Sequence, residues 1–137
     1  MKHLIFAATL LPILLMSACA GVTARNEVLL PAMYAAYTDG EPYNGSGIYF
    51  DIRRGISAKT RSALDQRELR LLADDMGDAL KKGDVARVVR IDWSRLRALA
   101  LIGIGARVAA GEIGEGVALS YVERVTLFSA SFKLLLK

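Results

Sequence analysis

Residues 93–111 read WSRLRALALIGIGARVAAG, and this stretch decides the fold that we predict. Its apolar and small residues recur every three or four positions, which places them on one face of an α-helix from Trp93 to Ala110. That face comprises Leu96, Leu99, Ala100, Gly103, Ala106 and Ala110. We expect Gly103 to let a second helix approach closely, or to make room for an aromatic ring. Gly111 then ends the helix.

The residues that follow predict one more helix, over about 115–135, after a short Glu112-Ile113-Gly114 connection. Its buried stripe has the same helical spacing. The stripe consists of Ala118, Tyr121, Val122, Val125, Phe128, Phe132 and Leu135.

On the N-terminal side, the pattern predicts a strong helix over about 57–82, which Ser57 or Thr60 caps. Gly83 suits the left-handed position just beyond its end, and Asp84 is a natural cap for the next element. Residues 85–91 continue as helix or form a short strand, and Asp92 offers another cap before the helix already described.

Two shorter elements are predicted earlier in the chain. A helix over 27–38 either starts near Pro31 or is kinked there, because proline lacks a backbone N–H. The glycine-rich loop 40–47 then leads into a short helix over 48–55. Amphipathic helices must bury their apolar stripes against each other. The sequence therefore predicts an all-α fold, a compact bundle of four to five short helices in a single domain over 26–137.

Composition excludes several classes of protein. The chain has 137 residues, 53% of them hydrophobic, and a formal net charge of +4. These values exclude a large multidomain enzyme, a disordered acidic tail and a disulfide-rich miniprotein. With a single cysteine, Cys19, the chain has no internal disulfide partner.

The first residues, MKHLIFAATLLPILLMSAC, form a basic start, an apolar run and a group of small residues. This is the layout of a secretory signal, and the apolar run is shorter than a membrane span. The segment Leu15-Met16-Ser17-Ala18-Cys19 resembles the lipobox of bacterial lipoprotein precursors, with Met16 where leucine is commoner.

The resemblance implies that residues 1–18 are a removed signal peptide and that Cys19 carries acyl chains such as palmitate. Residues 19–25 are then a lipidated tether that attaches the protein to a membrane. By the sorting rules of that family, Ala20 favours the outer membrane. We therefore expect an anchor in its inner leaflet, with the protein facing the periplasm.

Catalytic chemistry is not predicted. Removal of the signal removes His3, the single histidine, and acylation occupies Cys19. Nucleophilic triads and histidine–cysteine zinc sites are then excluded, so we expect no catalytic residue, no metal and no cofactor. Asp74 and Asp78, with Asp75 beside them, share a helix face at a spacing that suits a hard cation, but a solvated helix face is the preferred interpretation.

Three sets of residues are candidates for binding or structural roles. The aromatic set is the best candidate for a binding surface, although closure of one end of the bundle is the preferred interpretation of these rings. The arginine set suits anion contacts, or else solvated faces with local ion pairs. The predicted last helix carries two charged residues, Glu123 and Arg124, that need partners if they are partly buried. The candidate partners are Arg107 for Glu123 and Asp92 for Arg124. The aromatic set is Tyr34, Tyr37, Tyr43, Tyr49 and Phe50; the arginine set is Arg53, Arg54, Arg87 and Arg90.

These observations predict a small membrane-anchored lipoprotein with a non-catalytic binding or accessory role in an envelope assembly. Its partners are then the membrane, through Cys19, and an envelope protein, whereas nucleic acid is a poor partner outside the cytoplasm. The alternative is a binder of lipid or of another small apolar or anionic ligand.

Overall fold

The structure is a computed structural model that describes residues 10–39 and 46–137, with side chains from residue 21 onward. Over these residues it contains helices and no strand, which confirms the predicted all-α fold. Tyr43 and the side chain of Cys19 lie outside the described part. The helices are α1 (Leu10–Thr38), α2 (Ile48–Lys59), α3 (Ala63–Lys82), α4 (Val85–Val88), α5 (Trp93–Ala109) and α6 (Glu115–Leu135).

Six described helices exceed the four to five that we expected, and α1 is not short. It starts at Leu10 in the described chain, passes through the expected tether 19–25 and continues through Pro31. Pro31 is tolerated because it and Glu27 are exposed. Proline at position 31 has no N–H to donate to the Glu27 carbonyl. Because both residues are exposed, this carbonyl lies on the outer side of the helix.

The residues at helix ends were predicted well at four of five positions, among them Gly111, which follows α5 with a left-handed φ of 72°. Gly83 has the left-handed φ of 66°, and the side chains of Asp84 and Asp92 accept from the backbone N–H groups of Arg87 and Arg95. The predicted start of α3 was wrong. Ser62 is its cap, because Thr60 is extended and separates α2 from α3.

Helices α2 and α5 pack closely in antiparallel directions. A methyl group built on Gly103 would lie 1.7 Å from the Asp51 carbonyl oxygen, and one on Gly55 would lie 1.8 Å from that of Leu99. The expectation of a close helix approach at Gly103 is therefore confirmed, and the close contact is with backbone rather than with an aromatic ring.

The other long helices surround this pair. The Tyr37 hydroxyl donates to the Ala73 carbonyl at 2.6 Å, which joins α1 to the middle of α3. Aromatic rings join α5 and α1 to α6: the centroid of Phe128 lies 4.4 Å from that of Trp93 and 5.9 Å from that of Tyr37. The Trp93 indole N–H also donates to Ser129, at 2.9 Å. Across the described ranges, each helix is too short or too polar to cross a bilayer.

Replacing Gly103 by alanine should destabilise the protein by at least about 3 kcal/mol, because the new methyl group meets backbone that cannot move without separating two helices. Urea unfolding followed by circular dichroism measures the change.

The matched control is Gly105→Ala on the same helix, where a methyl group meets nothing within 4 Å. This change should stabilise the protein by about 0.5–1 kcal/mol, because alanine favours the helix. Equal effects of the two substitutions would show that the close contact at Gly103 does not hold the fold.

Candidate functional site

A buried charge cluster lies where α2, α5 and α6 meet. The Asp51 carboxylate is fully buried and accepts from Arg107 Nη1 at 3.0 Å and from Arg124 Nη2 at 3.3 Å. Burial raises the pKa of Asp51, and the hydrogen bonds and charges of the two guanidinium groups partly oppose that rise. These three residues, the charge cluster, join three helices.

The ion pairs expected for α6 were therefore wrong in their acidic partners. Glu123 is exposed and forms no ion pair with Arg107. Asp92 caps the start of α5 instead of reaching Arg124. The missed residue was Asp51, and its signal was available: it is an acid within the otherwise apolar run Ile48–Ile52.

The charge cluster has the character of a structural contact rather than of a reactive site. The Arg107 guanidinium lies over the Phe50 ring at 4.8 Å and the Tyr121 ring at 5.3 Å, and Arg124 lies over Tyr121 at 4.5 Å. Such cation–π contacts stabilise guanidinium groups that have been removed from water. The charge cluster thus holds helices together, which is the structural role that we expected for a charged residue of the last helix.

The structure divides the aromatic set. Tyr37 and Tyr49 are buried and belong to the core. Tyr49 and Phe50 also line a cavity of about 320 Å³ together with Arg53 and Arg54 of the arginine set. The Tyr49 hydroxyl donates to Asp74 and accepts from Arg53, and its pKa is raised by burial first and by the Asp74 hydrogen bond second. Phe50 is half-buried in the charge cluster.

The arginine set also has local partners. Arg87 pairs with Asp75 and Asp78, and Arg54 pairs with Glu112. Arg90 is exposed and makes no ion pair within the described residues. The four arginines therefore do not form one surface for anions.

The carboxylates of α3 are likewise engaged. Asp74 accepts from Tyr49, Asp75 from Arg87, and Asp78 from both Arg87 and Lys82. These guanidinium and ammonium hydrogen bonds lower the pKa of Asp78. Among the residues that the structure describes, no cluster of three or more histidine, cysteine or acidic side chains has the geometry of a metal site.

A cleft of about 650 Å³ opens between α1 and the C-terminal end of α3, and we call it the α1–α3 cleft. This volume is within the range of small-molecule sites. Its apolar lining includes Leu30, Pro31, Tyr34, Leu80 and Val85.

Polar groups lie at the edge of the α1–α3 cleft. Lys81 and Lys82 supply positive charge, and Glu27 supplies one negative charge. The Oδ1 atom of Asn26 is buried there without a hydrogen-bond partner in the structure, which is unusual for a polar atom. The apolar lining and the two lysines therefore suit a molecule with an apolar body and an anionic group.

Local sequence explains the cleft, although Tyr34 is the one residue of its lining that the sequence analysis proposed as a binding residue. Gly83 turns the chain sharply from α3 into α4, which separates their side chains at this corner. Pro31 leaves the Glu27 carbonyl without its helical donor on the facing helix. A proline in one helix and a left-handed glycine after another were the available signals.

Replacing Arg107 by alanine should destabilise the fold by about 3–5 kcal/mol, because it deprives the buried Asp51 carboxylate of its closer partner. Chemical unfolding at neutral pH measures the loss.

Arg54→Ala is the matched control, since Arg54 pairs with the same Glu112 that lies 3.6 Å from Arg107 Nε. Its pair is exposed to solvent, so the loss should stay below about 1 kcal/mol. If the two variants lost equal stability, the charge cluster would not be a contact on which the fold depends.

Comparison with family models, with curated proteins and with solved structures gives no match for this chain.

Proposed function

We propose that this chain is a lipid-anchored, non-catalytic protein of the bacterial envelope that binds a small anionic amphiphile in the α1–α3 cleft. The observation that carries the proposal is the cleft itself, whose apolar lining is bordered by two lysines. The binding mode expected from surface aromatic residues has less support, because Tyr37 is fully buried and the cavity that Tyr49 and Phe50 line, at about 320 Å³, is smaller than the α1–α3 cleft.

The lining suggests how the ligand is recognised. An alkyl chain against Leu30, Leu80 and Val85 removes apolar surface from water, which is the main favourable contribution to binding. A phosphate or carboxylate at Lys81 gains a charge-assisted hydrogen bond.

The position of the cleft supports a membrane lipid as the source of the ligand. Thr23, the first residue of its lining, follows Cys19 by one turn of α1. Leu30 follows Cys19 by a helical rise of about 16 Å. An anchor at Cys19, as its resemblance to a lipobox implies, keeps the cleft near the bilayer on the periplasmic side of the outer membrane.

A second candidate function is that of an accessory subunit in an envelope assembly. It is favoured by the outer face of α6, where Leu119 and Leu127 are 69% and 62% exposed. Exposed leucines on one helix face are typical of protein contacts. In-cell crosslinking tests this candidate: one abundant partner lost on Leu119→Gln and Leu127→Gln supports it, and an unchanged set of partners argues against it.

The cleft is tested with lysophosphatidylglycerol, below the concentration at which it forms micelles, by isothermal titration calorimetry. The protein is the chain from residue 19 with Cys19→Ser, which keeps every described core residue because the first of them is Leu30. Lys81→Glu should weaken binding about tenfold or more, through loss of a charge-assisted contact. Val85→Trp should abolish binding by filling the cleft.

Lys59→Glu is the matched control, because Lys59 is also an exposed lysine in the last turn of a helix. Both substitutions reverse a favourable charge at a helix C-terminus, so only the contact with the ligand differs. Absence of binding to the unsubstituted chain, or equal weakening by the two lysine substitutions, would refute the proposed site.

A further inference from the structure

The short helix α4 lies between two clefts. Val85, at its start, lines the α1–α3 cleft, and Val89, just after its end, lines a second cleft of about 620 Å³. The second cleft is also lined by Phe132 and Leu136 of the C-terminal part of the chain. The C-terminal ends of α3 and α6 are therefore gathered at one end of the bundle, on either side of α4.

This end carries a cluster of exposed cations and leucines that we call the basic end. All its members are exposed, and its cations form no ion pair within the described residues. They are Lys81, Arg90, Lys133, Lys137, Leu134 and Leu136.

The acids nearby reduce this positive charge only in part. Asp78 forms ion pairs with Arg87 and Lys82, so it does not neutralise the cations of the basic end. The carboxylates of Asp84 and Asp92 cap helix N-termini and keep their negative charge. With Glu27 of the α1–α3 cleft, these acids number three against the four cations of the basic end, so positive charge exceeds negative charge by one.

Exposed leucines lie between two lysines at the C-terminal part of the basic end. Leu134 is 40% exposed and Leu136 is 59% exposed, and the run 134–136, in which Leu135 is buried, is flanked in sequence by Lys133 and Lys137. Leucines that insert between headgroups, beside cations at the level of the phosphates, are the arrangement that binds a membrane interface.

We propose that the basic end docks on an anionic phospholipid surface, with its leucines among the headgroups and its cations against the phosphates. The part of α1 that begins at Thr23 reaches the α1–α3 cleft at this same end, so an N-terminal anchor and the basic end meet one bilayer. The proposal depends on the distribution of charge and apolar surface, and it holds with or without acylation of Cys19.

Sedimentation with lipid vesicles tests this surface, again with the chain from residue 19 carrying Cys19→Ser. We expect binding to vesicles of phosphatidylcholine mixed with phosphatidylglycerol, little binding to pure phosphatidylcholine, and weaker binding at higher salt. The double variant Arg90→Gln, Lys133→Gln should lower the partition coefficient about fivefold for each cation removed.

The matched control is the double variant Arg61→Gln, Arg67→Gln, which removes the same charge from exposed arginines near the start of α3. Arg67 precedes Lys81 by about 21 Å of helix, so this variant should keep the partition coefficient of the parent chain. Equal losses in the two double variants would show that net charge alone drives adsorption, which would overturn the proposal.

A second pair of variants tests the leucines. Leu134→Gln with Leu136→Gln should lower partitioning, whereas Leu119→Gln, at the other end of α6, should not. Equal binding to both kinds of vesicle, or no effect of the leucine pair, would overturn the insertion of the basic end. The outcome is separate from that of the α1–α3 cleft, because these variants leave Lys81 and the lining of that cleft unchanged.

Discussion

The close contact between the backbones of α2 and α5 is the constraint on which the rest of the structure depends. No side chain separates the helices at Gly55 and Gly103, where a methyl group would meet a carbonyl oxygen. Because the helices are so close, Asp51 is removed from water and requires buried cations. Arg107 supplies one from within the pair, and Arg124 supplies the other, which fixes α6 against both helices.

Helical periodicity and capping residues predicted much of the fold, because these signals are local. The all-α class, the extent of α5 and α6 and the close approach at Gly103 all follow from spacing within one segment. The partner of Arg124 does not, since Asp51 lies 73 residues away and is chosen by how three helices cross. Burial of Tyr37 and Tyr49 depends on the same tertiary geometry, so an aromatic-rich segment alone did not distinguish core from surface.

The two ends of the bundle differ in physical character. At one end, the charge cluster and the rings of Phe50 and Tyr121 form dense contacts that serve stability. At the other, the turn at Gly83 and the short α4 leave clefts on both sides and exposed cations around them. Most of the aromatic set predicted from sequence lies near the first end, where Tyr49 and Phe50 line a cavity of about 320 Å³, whereas the two clefts of about 650 and 620 Å³ are at the second.

Trp93 gives this protein an internal optical reporter. It is the single tryptophan of the chain, and its indole packs 4.4 Å from Phe128 and donates to Ser129, both on α6. Its fluorescence therefore responds to the departure of α6 from α5, whereas far-ultraviolet circular dichroism responds to the loss of helix anywhere. When the two signals change together, the helices unfold as one cooperative unit; when fluorescence changes first, α6 separates while the remaining helices persist.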